Sequence, residues 1–407
     1  MTDYLHPLCA LTALLALTYK LRDLLRTPRD PALAVLCGVL ALSALSLTLS
    51  QPAVWSLLDR LLGYPNIAAL LAQCSVVLLI TGQQVVLIYW NSPPRQARRK
   101  IGVRLALALL VLGTLVCLFT LLAPDQRKPR GFTLHYVHEP LYSAYLLLYI
   151  AAYVHGEIVV ARLSRRYARL APQPWLRRGL NLVCAGATLT LGYGTIRLLN
   201  IVTTRLPWKP DSLEWLAWLC GDAGTLLIHI GWTMPGWGPA LTTAHRSLRA
   251  WRRFRRLRPL WEALSNAAPS IVLETAARPW RSRYSLQALE FRLYRRVIEI
   301  RDGQLALRAY AGPEAGHRAR EHARTAGLDG ADLRAAVEAA LLATAIQAKE
   351  TGRPPTLAPP HGEMPGTAGL ADETDWLIKV AVAFQHSPVV TRTLTSGIVR
   401  EHSRDCP

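Results

Sequence analysis

Seven apolar stretches, each long enough to cross a hydrocarbon layer, constrain this chain more than any other feature. They lie near Tyr4–Tyr19, Pro31–Ser50, Asn66–Trp90, Ile101–Leu122, Tyr136–Ala161, Gly179–Ile201 and Leu213–Met234. A helical span needs about 17–25 mostly apolar residues, because each residue rises roughly 1.5 Å. The first stretch is the shortest. No basic residue precedes it and no small-residue cleavage pattern ends it, so it reads as a span rather than a secretory leader. A hydrophobic share of 51% and a mean hydropathy of +0.18 also put the chain outside the ordinary soluble range.

Basic residues are spread unevenly over the connecting segments, and this predicts an orientation. "KLRDLLRTPRD" holds Lys20, Arg22, Arg26 and Arg29, and "NSPPRQARRK" holds Arg95, Arg98, Arg99 and Lys100. "ARLSRRYARLAPQPWLRR" adds six arginines. The alternate connectors offer Arg60, then Arg127, Lys128 and Arg130, then Arg205 and Lys209. Cytoplasmic loops carry the lysine and arginine excess. The amino terminus is therefore expected outside and the carboxyl terminus inside, a parity that an odd number of spans satisfies.

"PGWGP" is expected to break the seventh span. After it, "HRSLRAWRRFRRLRPL" repeats Leu248, Trp251, Phe254 and Leu257 at every third position among arginines. This predicts a basic amphipathic helix lying on anionic headgroups, with Arg249, Arg252, Arg253, Arg255 and Arg256 as the contacts. The plainer reading is a positive-inside signal after a final span, and the two are compatible. The remainder reads as a helical cytoplasmic domain. "SLQALEFRLYRRVIEIRDG" has helical spacing and is expected to stop at Gly303. "DGADLRAAVEAALLATAIQAKETG" is expected to start at Asp329 or Asp332 and end at Gly352, and "ETDWLIKVAVAF" is a last amphipathic helix. "GRPPTLAPPHGEMPG" reads as a proline-rich loop. The expected division is 1–236 transmembrane, 237–260 basic helix and 261–407 cytoplasmic domain. The fold class is all-α, a seven-helix bundle followed by a mainly helical domain.

The groups that could carry chemistry lie inside the spans. Asp222 falls roughly 13 Å below the outer boundary at about 1.5 Å per residue, and His229 about 10 Å deeper on the same side of its helix. A charged acid at that depth costs a few kcal/mol or more unless it faces protein, water or a partner. His155 and Glu157 of the fifth span, with Gln83 and Gln84 of the third, fall at the level of His229. Glu139 and Arg197 fall near the outer end, where they are placed to pair. Asp222, His229, His155, Arg197 and Glu139 thus form an expected polar seam, suited to a ligand pocket or proton pathway. The plainer alternative is that these groups only hydrogen-bond neighbouring helices.

Much else is excluded. Six of the seven cysteines sit in apolar runs and none belongs to a CxxC or Cys/His cluster, so neither disulfides nor zinc are expected. His317 and His322 of "HRAREH" are five apart and make a poor metal pair. No nucleotide-loop, zinc-protease or serine-hydrolase motif occurs, so no cofactor and no enzyme activity are expected. The seventh span has no lysine for a retinal Schiff base. The arginine helix abuts a span, which makes lipid phosphate its nearer anion, and nucleic acid is not expected. The expected partners are the bilayer and a cytoplasmic protein, and a homo-oligomer is allowed.

"LRPLWEAL", "RRVIEIRDGQLALRAY" and "DWLIKVAVAF" resemble a family of uncharacterised multi-pass membrane proteins of high-GC Gram-positive bacteria, often labelled transporters. The resemblance extends over nearly the whole chain, with "EIRDGQLALR" as its most specific piece. It implies a cell-membrane location and a C-terminal domain of unknown function, with no catalytic residue to carry over. Within "EIRDG", Glu299 and Arg301 are expected exposed and Asp302–Gly303 to form a turn. Three functions remain: sensing a signal in the bundle and relaying it through the domain, transport of a small or proton-coupled solute, and scaffolding. The size of the domain favours the first.

Overall fold

The computed structural model describes residues 2–122, 139–203, 214–272, 286–355 and 369–402. It divides into two compact units, Met1–Pro239 and Ala240–Pro407. In the first unit, α1 (Thr2–Arg26), α2 (Pro31–Leu49), the short α3 (Pro52–Leu61), α4 (Ile67–Asn91), α5 (Pro94–Leu122), α6 (Pro140–Leu170) and α7 (Pro174–Thr203) follow in order. α8 (Glu214–Arg256) begins there and runs on into the second unit. Among the described residues, α2, α4, α5, α6 and α7 as far as Leu199 are long and apolar enough to cross a membrane.

The helices outrun the apolar stretches that announce them. α1 continues through Lys20 and Arg22 to Arg26, α5 takes up Arg95–Lys100 in its first turns, and α6 runs on to Leu170. The arginine-rich connectors shrink to residues 27–30, 92–93 and 171–173. Proline starts several helices, as at Pro31, Pro94, Pro140 and Pro174, where its missing N–H has no intrahelical partner to lose. Asp30 caps α2 by accepting from the backbone N–H of Ala32 and Leu33. The alternate connectors are longer. One contains α3, whose Trp55 and Asp59 are buried. Asp59 accepts the backbone N–H of Asn66 at 2.8 Å, holding that residue at a left-handed φ of 60°. Arg127, Lys128, Arg130, Arg205 and Lys209 lie outside the described residues.

"PGWGP" does not break α8. The helix passes through Pro235 and Pro239, although proline at 235 removes the amide that would bond to the Gly231 carbonyl. That carbonyl faces the α7 backbone, where a Cβ added to Gly179 would lie 2.6 Å from it, and a Cβ on Gly231 would lie 2.7 Å from the Gly179 carbonyl. One heptad away Gly186 and Gly224 repeat the arrangement, at 2.6 and 2.8 Å. The two pairs dock α7 and α8 antiparallel with their backbones nearly touching, the contact that small residues permit between membrane helices.

The second unit is also helical. After the end of α8 come α9 (Arg258–Ala267), α10 (Leu286–Leu307), α11 (Pro313–Thr325), α12 (Gly330–Glu350), α13 (Leu370–His386) and α14 (Pro388–His402), with 3-10 turns at Pro269–Ile271 and Arg308–Tyr310. Leu257, Leu260, Leu264, Ile300, Leu307 and Leu377 form its core against the alanine-rich α12. α12 starts after Asp329, whose side chain makes no cap bond, and stops before Gly352 at φ 73°. Most of the proline-rich loop lies outside the described residues.

Two expectations for this unit fail. Gly303 does not stop α10, which runs four residues further. Its lack of a side chain serves packing instead, since an added Cβ would meet Leu264 at 3.1 Å. Nor is Glu299 exposed: it is buried and accepts from Trp261 Nε1 and Arg295 Nε, both at 2.7 Å. Arg301 pairs with Glu373 and donates to Gln304. The arginine helix also departs from expectation. A step of three residues falls about 60° short of a full turn, so three steps rotate a stripe by roughly 180°. Leu248 and Trp251 are accordingly exposed, whereas Phe254 and Leu257 turn into the core of the second unit.

Candidate functional site

The apolar α6 carries Tyr142, Tyr145, Tyr149, Tyr153 and Glu157 at three- and four-residue spacing, and all five are buried. A single helical face therefore presents a column of hydroxyls and a carboxyl to the inside of the bundle. Rings continue the column across α7 and α8. Tyr153 meets Tyr193 at 5.8 Å between centroids, Tyr193 meets Trp218 at 5.9 Å, and Trp218 meets His6 at 5.4 Å. The Arg197 guanidinium lies 5.3 Å from the centroids of both Tyr193 and Trp218. This is cation–π geometry.

Tyr149, Tyr153, Glu157, Tyr193, Arg197, Trp218 and His6 line a cavity of about 260 Å³ within the first unit, whose wall is drawn from α1, α2, α3, α4, α6, α7 and α8, while Tyr142 and Tyr145 pack elsewhere. α5 contributes nothing to it. Asp222 and His229 both line it, as their spacing of nearly two turns requires. Asp222 is 3% exposed and pairs with His6 Nδ1 at 2.9 Å. His229 is held by Ser43 Oγ at 2.9 Å from Nε2 and by Thr12 Oγ1 at 3.3 Å from Nδ1. Arg197 and Glu157 are on the wall as well, with Gln83. Gln84 instead donates to the Gly156 carbonyl.

The other two sequence candidates lie elsewhere. His155 is exposed, because two residues turn a helix by about 200° and put it opposite the buried Glu157. Glu139 is exposed ahead of α6, and no ion pair joins it to Arg197 among the described residues. His6 was not legible as a site residue, since the first stretch is the shortest and its depth is poorly fixed. The tyrosines were legible in principle: their spacing in "YSAYLLLYIAAY" marks one face. Of the basic helix, Arg249, Arg252, Arg255 and Arg256 are exposed. Arg253 pairs with Asp375 at 2.9 Å, and the Arg255 guanidinium lies 5.4 Å from the Trp251 centroid. No group of three or more potential metal ligands occurs among the described residues.

Several polar atoms on the cavity wall have no hydrogen-bond partner within the protein: His6 Nε2, Gln83 Oε1, Glu157 Oε2, Asp222 Oδ2 and Trp232 Nε1. Buried polar groups are ordinarily satisfied. Five such atoms around one cavity make it a place where a polar molecule can be held.

The architecture is that of a multi-pass membrane protein, a set of apolar helices followed by a distinct helical domain. Residues 246–387 match a family of unknown function (DUF6545). No curated protein and no solved structure matches the chain. The match contains all three segments that carried the resemblance and lies outside the bundle that holds the cavity. It brings neither the transport activity nor the bacterial group that the resemblance implied.

Proposed function

We propose that the chain is a seven-span, non-enzymatic protein of the cell membrane, amino terminus outside, that binds a small polar ligand among its spans and relays its state through a cytoplasmic domain. The observation that carries this reading is the cavity with its unpartnered polar wall atoms. Seven spans are supported by packing directions. His6 to Asp222 and Thr12 to His229 are 216 and 217 residues apart, so α1 and α8 run parallel. With α7 antiparallel to α8, alternation from α1 gives seven crossings when the short α3 is left out. The exposed Leu248, Trp251 and flanking arginines suit a headgroup layer. A transporter would use the same cavity, but the length of the second unit, Ala240–Pro407, favours an output surface.

The test is amide hydrogen exchange on the full-length protein in lipid nanodiscs, wild type against Asp222→Asn. Relay predicts changed protection in peptides between residues 258 and 387, beyond the helix that carries the substitution. Identical exchange there would refute the relay.

A further inference from the structure

Three of the unpartnered atoms of the cavity are side-chain oxygens, two of them from carboxyl groups. Asp222 Oδ1 accepts from His6 Nδ1 at 2.9 Å, and His6 Nε2 is an acceptor on a neutral ring and a donor on a charged one. Gln83 Oε1, Glu157 Oε2 and Asp222 Oδ2 are acceptors too. The Trp232 indole N–H on the same wall is a donor. These oxygens come from α4, α6 and α8, so they converge from different directions. Glu157 and Asp222 are each 3% exposed and Gln83 is 1% exposed.

Formal charge has the same bias. The wall holds two carboxyl side chains, and its one guanidinium, Arg197, is seated on the rings of Tyr193 and Trp218. The rest of the wall mixes aliphatic, hydroxyl and aromatic side chains, with Tyr149 and Tyr153 offering further ring faces. Carboxylates and ring faces both attract positive charge, and a buried carboxylate is costly without such a partner. Size limits the occupant. A cavity near 150 Å³ accepts benzene, so 260 Å³ suits a molecule of roughly ten non-hydrogen atoms.

Resting on the ligand-binding reading above, we infer that the occupant is a small organic ammonium compound, whose N–H donors meet the oxygens of Asp222, Glu157 and Gln83 while its apolar part lies on the tyrosines.

Three probes with the same carbon count separate the alternatives: 2-phenylethylamine, 2-phenylethanol and phenylacetate. Each is titrated against full-length protein in nanodiscs by calorimetry and by fluorescence of the wall tryptophans, with empty nanodiscs as blank. The amine should bind at least about tenfold tighter than the alcohol, and the carboxylate weakest. Asp222→Asn and Glu157→Gln should each weaken the amine about tenfold and leave the alcohol unchanged. Thermal shifts of the wild type with the three probes give the same ranking without any variant. Equal or tighter binding of the alcohol or the carboxylate, abolished by Asp222→Asn, would overturn the ammonium assignment and leave the pocket standing. Binding by none of the three would overturn both.

Discussion

Glu338 shows how one residue ties the C-terminal unit together. Its carboxylate accepts from Gln304 Nε2 at 2.8 Å and Trp376 Nε1 at 3.0 Å, with Arg301 at 3.5 Å. Burial pushes its carboxyl above the usual range, while Arg301 and the two hydrogen bonds pull the other way. A carboxyl raised on folding contributes stability that is complete below its unfolded value and is lost as pH rises through the folded one. Glu338→Gln should therefore flatten the fall in unfolding temperature of this unit as pH rises above the ordinary glutamate value of about 4, as read by calorimetry. Arg296 is the basic counterpart. Its guanidinium lies 3.6 Å from the Phe254 centroid and 4.6 Å from that of Trp261, and burial lowers it to about 10. Such roles were hidden in the sequence. "RRVIEIRDGQ" looks like an exposed charged face, and only the neighbouring helices reveal that Arg296, Glu299 and Gln304 point inward. Asp222 was the opposite case. An acid within an apolar run has few tolerable surroundings, so its burial against a partner was legible, though the partner, His6, was not.

Helices were legible where hydrophobicity alone decides them and illegible where packing does. The apolar stretches located α2, α4 and α5 to within a few residues at most ends. The continuation of α8 through two prolines was not foreseen, because local propensity argues for a break and only the facing backbone of α7 explains its absence. The glycines make this measurable. At Gly186 an added Cβ would lie 2.6 Å from the Gly224 carbonyl, whereas at Gly113 of α5 nothing lies within 4 Å. Gly186→Ala should cost about 1–3 kcal/mol through forced separation of α7 and α8. Gly113→Ala should be neutral or gain up to about 1 kcal/mol from helix propensity. Thermal melts in detergent would read both. The arginine stripe teaches a related lesson: a strict three-residue repeat is no face at all, and the structure divides it between solvent and core.

For the whole molecule, the proposed orientation rests on the arginine-laden helix ends that flank the tight turns at residues 27–30, 92–93 and 171–173. A fluorescent protein fused after Pro407 should light up and a periplasmic-type phosphatase at the same point should stay inactive, the reverse holding for fusions before Met1. An active phosphatase at the carboxyl end would invert the assignment. The paired glycines have a mechanical corollary. Two backbones that touch at points one heptad apart behave as a single beam, so a molecule entering the cavity cannot come by prising α7 from α8. Entry is expected instead between helices that meet through side chains rather than main chains, and a bulky substitution there should slow entry without altering the grip.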